Sequence, residues 1–375
     1  MSKAMTLRTL LYLFFAFAFF AVTMSRANAE EHVAYVGTYT GGESEGIYLL
    51  SFDSDSGAIE VKGVAAETEN PSFVAFHPNG KFLYAVNETD TGELSSFRID
   101  PSSHQLEFIN ERPSGGAHPC HLVVDDSGQN LLVANYSGGN VSVTRINVDG
   151  SLGSQTTLIQ HKGSSVDPRQ KAPHAHSINL DATNKFAVAA DLGMDQLLVY
   201  SFAAELGRLS KHSSINLKPG SGPRHVSFHP DGKHAYAINE LLSTVCVLEY
   251  DPQGGKFREL QTITTLPRDF DGKSFTAEVR VSADGKFVYG SNRGHDSIAV
   301  FRINDDHSLT LVQIEPIGGK TPRNFTFDPT GRFLLAAGQS TNSITVFSID
   351  PKLGKLTKTK HSVSVPQPVC IRFAK

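Results

Sequence analysis

The chain has 375 residues, with 34 Lys and Arg against 38 Asp and Glu, for a formal net charge of -4. No block of like charge stands out, so nothing favours a nucleic-acid partner. Trp is absent, and 32 Gly without low-complexity runs indicate many tight turns and therefore many short strands.

Taken in chain order, the first segment is unlike the rest. Lys3 and Arg8 form a basic start, an apolar run extends from Leu10 to about Met24, and the small-x-small triplet Ala27-Asn28-Ala29 follows. This layout predicts a secretory signal peptide over residues 1–29. The alternative is a membrane anchor, for which the run is short. No other segment is long and apolar enough to span a bilayer, so cleavage is expected to leave residues 30–375 as one domain, periplasmic or secreted.

Strands are expected at Val33–Thr38, Gly46–Phe52 and Ile59–Val64, and then a repeat begins. PSFVAFHPNGKFLYAVNE from Pro71 returns as PCHLVVDDSGQNLLVANY from Pro119 and AHSINLDATNKFAVAADL from Ala175. It returns again as PRHVSFHPDGKHAYAINE from Pro223, TAEVRVSADGKFVYGSNR from Thr276 and PRNFTFDPTGRFLLAAGQ from Pro322. A truncated copy, PVCIRF, starts at Pro368. The copies are 46–56 residues apart, the spacing of propeller blades or of a solenoid. Each holds two alternating strands around a D-G, N-G or related turn, a third strand such as Ser243–Tyr250, and a fourth such as Gly255–Thr262. Four antiparallel strands make one blade. The last copy has only its first strand, and the strands near residue 33 supply the other three. The expected fold is therefore all-β, a seven-bladed β-propeller closed by pairing of the N- and C-terminal strands.

Antiparallel order places the start of the first strand and the end of the second on one face of the ring, and the D-G turns on the other. The first position holds Ser72, Cys120, His176, Arg224, Ala277 and Arg323. The next holds Phe73, His121, Ser177, His225, Glu278 and Asn324. The end of the second strand holds Glu88, Tyr136, Leu192, Glu240, Arg293 and Gln339. The apolar positions repeat while these mouth positions vary, which points to one site built from several blades. Arg224 and Arg293 can bind a carboxylate, a phosphate or a developing oxyanion. His176 and Glu240 can move protons. His225, Glu278 and Arg323 are candidate substrate-binding residues. Against this stands the plainer reading of an ion-pair ring around the rim.

Other residues invite less. His77 and His229 lie in F-H-P before a turn and are read as turn-packing. His161, His212, His307 and His361 are read as solvated outer residues, and Asp231 and Asp284 as turn formers. Cys120, Cys246 and Cys370 show no disulfide framework and no metal spacing, and read as small core residues. No metal or cofactor is expected.

The motifs Ala175-His176-Ser177, Gly222-Pro223-Arg224-His225, Ile238-Asn239-Glu240-Leu241, Ser291-Asn292-Arg293 and Ala336–Gln339 resemble those of the lactonase propeller family. That family includes propeller-type 6-phosphogluconolactonase and 3-carboxy-cis,cis-muconate lactonizing enzyme. The resemblance spans residues 30–375 and implies a metal-free site of His176, Arg224, Arg293 and Glu240. It implies hydrolysis of a sugar δ-lactone, glucono-1,5-lactone or 6-phosphogluconolactone, with Glu240 or His176 activating water. Export favours an unphosphorylated lactone. Two alternatives remain: a 3-carboxy-cis,cis-muconate cycloisomerase and a non-catalytic binding propeller. The oligomeric state is not indicated.

Overall fold

The computed structural model describes residues 31–374; the predicted signal peptide lies outside the described residues. Seven four-stranded antiparallel sheets follow one another around a ring. We number the blades 1 to 7 from Phe73. Their innermost strands are Phe73–Phe76, Pro119–Val124, Ala175–Leu180, Pro223–Phe228, Phe275–Val281, Pro322–Phe327 and Pro368–Phe373. The last of these closes the ring: it pairs antiparallel with Glu31–Thr38, placing Tyr35 opposite Arg372 and Val36 opposite Ile371. Blade 7 therefore holds both ends of the described chain and leaves no unpaired strand at the seam.

The core lies between blades. Side chains of one sheet face interlock with those of the next, as where Val188 and Ala190 of blade 3 meet Val226, Ala235 and Cys246 of blade 4. The second strands are mostly buried; Phe186–Asp191 and Phe82–Asn87 expose no residue. The outermost strands are polar and half exposed, as in Lys256–Thr264, which blunts the edges against pairing with other chains. A recurring contact locks neighbouring blades. Phe82, Phe186, Phe287 and Phe333 each lie against a glycine of the next blade's outer turn: Gly150, Gly255, Gly354 and Gly57. Those glycines have φ between 55° and 86°, a conformation other residues resist, and a Cβ there would collide with the phenyl ring.

The three cysteines are free and buried, as expected. His77 and His229 do pack turns: each Nδ1 accepts a backbone N–H from two residues on, and each Nε2 meets the carbonyl of Gly128 or Gly285. The reading of His161 as solvated is wrong. It is fully buried, with Nδ1 2.6 Å from Asp191 Oδ2 and Nε2 2.7 Å from the Tyr200 hydroxyl. It follows the outer strand of blade 2, but the chain there turns inward to cover blade 3. His307 also departs from expectation, because its ring stacks on His234 with centroids 3.5 Å apart.

Candidate active site

The predicted mouth residues owe their placement to a backbone irregularity the repeat hides. In six of the seven blades the register between the first and second strands slips at the residue after the opening Pro or its equivalent. Pro223 pairs with Asn239 and His225 with Ile238, which leaves Arg224 as the extra residue. His176 and Arg323 are extra residues in the same way. A β-bulge breaks the two-residue alternation and re-aims a side chain. It lets the adjacent pairs Arg224–His225 and Arg323–Asn324 border one cavity in the channel. The ends of the second strands are fixed by a second repeated bond: the N–H of Glu240 donates to Gly222 O, that of Glu88 to Asn70 O, and that of Gln339 to Thr321 O.

The two devices converge on Glu240. Its carboxylate is buried and faces three guanidiniums. Arg293 Nη2 lies 2.8 Å from Oε2, and Arg169 Nη2 donates to Oε1 at 2.6 Å. Arg224 Nε lies 3.2 Å from Oε2, an ion-pair contact without hydrogen-bond alignment. Backbone carbonyls hold the arginines: Arg224 Nη1 donates to Ala277 O at 2.6 Å and Arg293 Nη2 to Thr276 O at 2.9 Å. His176 Nε2 stands 4.0 Å from Glu240 Oε2, and its ring meets Tyr136 edge-on at 5.2 Å. Arg323 is held over the Tyr39 ring at 5.4 Å, and the Tyr39 hydroxyl donates to Glu88 at 2.8 Å.

Charge dominates this site. Burial pushes the Glu240 carboxyl up, but Arg293, Arg224 and Arg169 outweigh it and hold it at about 2. Burial, followed by Arg224, His225 and Arg323, drives His176 well below the ordinary histidine range, so it is a neutral imidazole at neutral pH. Burial and the neighbouring Arg323 and Arg293 lower Arg224 to about 9. Arg323 is pushed upward: burial opposes its charge, while Tyr39, Glu88 and Glu240 favour it. Four guanidiniums against Glu240 and Glu88 leave an excess of positive charge around a neutral base. Such a set can bind an anion, stabilise an oxyanion and accept a proton.

The structure thus gathers His176, Arg224 and Arg293 around Glu240, and Arg224 shares the adjoining cavity with Arg323. His225 and Glu278 sit deeper. His225 Nδ1 is 3.1 Å from Glu278 Oε1, and Asn324 donates to Glu278 Oε2. Burial raises the Glu278 carboxyl, and Arg280 and His225 more than offset it and hold it low. His225 borders both the mouth cavity and a chamber of about 390 Å³ farther along the channel, whereas Glu278 borders only the chamber.

Sequence reasoning missed Arg169. It lies on the connection between blades 2 and 3, where the repeat spacing is widest, at 56 residues between Pro119 and Ala175. That extra length was the available signal. The loop is tied down from beneath: Gln170 Nε2 donates to Asp195 Oδ1 and Leu192 O, and Ser165 Oγ to Asp195 Oδ2.

Fold and site together define a propeller with a cationic site, built from several blades, at one mouth of its channel. The model of the seven-bladed β-propeller lactonase family matches residues 33–373, and the chain belongs to that family. It is 41% identical over 345 residues to a 6-phosphogluconolactonase of Bacillus subtilis, covering 92% of this chain and 98% of that one. It is 36% identical over 344 residues to a 6-phosphogluconolactonase of Formosa agariphila, covering 88% and 96%. The solved periplasmic gluconolactonase of Pseudomonas aeruginosa superposes with a TM-score of 0.87 at 36% identity, covering 92% of this chain and 99% of that one.

Proposed function

We propose that the chain is a carboxylic ester hydrolase that opens a sugar δ-lactone, glucono-1,5-lactone or 6-phosphogluconolactone, to the aldonic acid. The observation that carries this is the fan of Arg169, Arg224 and Arg293 on buried Glu240, beside the neutral imidazole of His176. The family's lactonases support it. Water oxygen adds to the lactone carbonyl carbon while His176 Nε2 takes its proton. The carbonyl oxygen becomes an oxyanion facing guanidinium N–H groups, which stabilise it where water cannot compete. The tetrahedral centre collapses, the ring C–O bond breaks, and His176 returns the proton to the departing ring oxygen. Glu240, held at about 2, is a weak base and serves to aim the arginines. Arg323 and His225 line the adjoining cavity and contact the polyol or its phosphate. The site needs no metal for this chemistry.

The apolar leader and the likeness to a periplasmic gluconolactonase support action outside the cytoplasm, on a lactone formed there. Among the described residues no helix is long and apolar enough to cross a membrane. The test is proton release from both lactones, with the spontaneous rate subtracted, beside a carboxymuconate assay read as loss of conjugated absorbance. Turnover of a lactone supports the proposal. Turnover of carboxymuconate alone, or of nothing, overturns it.

A further inference from the structure

The junction between blades 4 and 5, on the face opposite the arginine site, departs from the phenylalanine–glycine pattern. At four junctions a phenylalanine opening the second strand lies on a glycine of the next blade's outer turn. Between blades 4 and 5 the phenylalanine position holds His234 and the glycine position holds His307. His307 adopts φ 62°, the left-handed conformation of the glycines it replaces, as His104 does at the corresponding turn of blade 1 with φ 57°. The two imidazoles stack at 3.5 Å with planes 11° apart. Tyr236 registers the same departure. Its counterparts Tyr84 and Tyr289 donate to Gly150 O and Gly354 O, while its own buried hydroxyl has no hydrogen-bond partner.

Asp231 sits beside this pair. One ligand atom each from His229, Asp231 and His307 lies within 4.8 Å of the other two. His229 Nδ1 is 3.0 Å from Asp231 Oδ1, and His307 Nε2 is 3.8 Å from Asp231 Oδ2. Ligands at about 2.0–2.2 Å from a tetrahedral ion stand apart by similar distances. The supporting contacts of His229 are those of a metal-binding imidazole. His229 turns Nε2 to Gly285 O at 3.0 Å, which leaves Nδ1 as the lone-pair nitrogen. That nitrogen accepts the Asp231 N–H at 3.1 Å, a bond the ion would replace. His234 Nδ1 meets Asp231 Oδ2 at 2.7 Å and orients the carboxylate. The ring of His307 keeps a buried Nδ1 without a hydrogen-bond partner. At the corresponding turn of blade 1, His77 makes the same two bonds, but Asn79 stands where Asp231 is, and no second histidine arrives.

We infer that His229, Asp231 and His307 form a site for one divalent transition ion of the zinc type, with water completing the shell. Two imidazoles and a carboxylate suit a borderline ion better than calcium or magnesium. The ion clips blade 4 to blade 5 where four other junctions use phenylalanine on glycine. This inference stands apart from the lactonase reading.

The test is calorimetric titration of the tag-free, EDTA-treated chain with Zn²⁺, with Co²⁺ absorbance as a report on ligand geometry. One Zn²⁺ per chain is expected, with a rise in Tm on binding. Asp231→Asn should weaken binding at least about 10-fold. The double variant His234→Phe/His307→Gly installs the pairing of the four phenylalanine–glycine junctions, so it should fold normally and lose the site. The inference fails if the chain shows no saturable Zn²⁺ uptake below about 1 mM, or if the double variant binds as tightly as the parent.

Discussion

Glu240→Gln keeps the shape of the side chain and removes its charge. Arg224 and Arg293 then lose a counter-charge at 3.2 and 2.8 Å in a buried setting. Arg169 is 41% exposed, so solvent screens its share and that contact adds little. Breaking a buried pair by removing one partner costs about 3–5 kcal/mol, because the remaining charge is left uncompensated. The expected loss is therefore about 3–4 kcal/mol of unfolding free energy at pH 7, read from urea unfolding by circular dichroism. The pH dependence has a definite sign. The folded carboxyl is held at about 2, below its ordinary 4.5. Its contribution is complete above about 4.5 and disappears as pH falls toward 2, so the gap between parent and variant should close across that range. A variant within about 0.5 kcal/mol of the parent at pH 7 would refute the claim that this carboxylate anchors the arginines.

Three further outcomes are expected. Arg169→Ala should raise KM about 10-fold while leaving urea stability within about 1 kcal/mol, since its ion pair is partly exposed; an unchanged KM would remove Arg169 from the site. The acid limb of kcat/KM should lie well below pH 6.5, because burial and the neighbouring Arg224 hold His176 well below that value, so neutral imidazole persists as pH falls through 6.5. A midpoint between about 6 and 7 would contradict this. Cys120, Cys246 and Cys370 should all be silent to a thiol reagent in the native protein and all react after denaturation, since burial raises each thiol, that of Cys370 to about 12. A native disulfide would leave fewer than three reactive thiols.

The blades were legible because the repeat writes the same apolar alternation at each copy, and closure followed from a last copy with one strand. The mouth residues were legible because they break that repeat. Four things were not. The bulge at Arg224 leaves no mark in composition; it shows only in pairing, where Pro223 and His225 face consecutive partners. Arg169 lies on a connection with no counterpart in other blades, so register arguments could not place it. His161 was misjudged because an outer-strand position predicts exposure, whereas its burial comes from the loop folding back over Asp191 and Tyr200. His229 and Asp231 were explained by turn chemistry alone, and only the arrival of His307 from the next blade gives them a second meaning.

The most direct test of the central claim is Arg293→Ala, assayed by proton release on glucono-1,5-lactone and 6-phosphogluconolactone beside the parent. Loss of an oxyanion-stabilising donor should cost at least about 100-fold in kcat, with circular dichroism unchanged because Arg169 and Arg224 still neutralise Glu240. A variant that hydrolyses the lactone at the parent's rate would contradict the account.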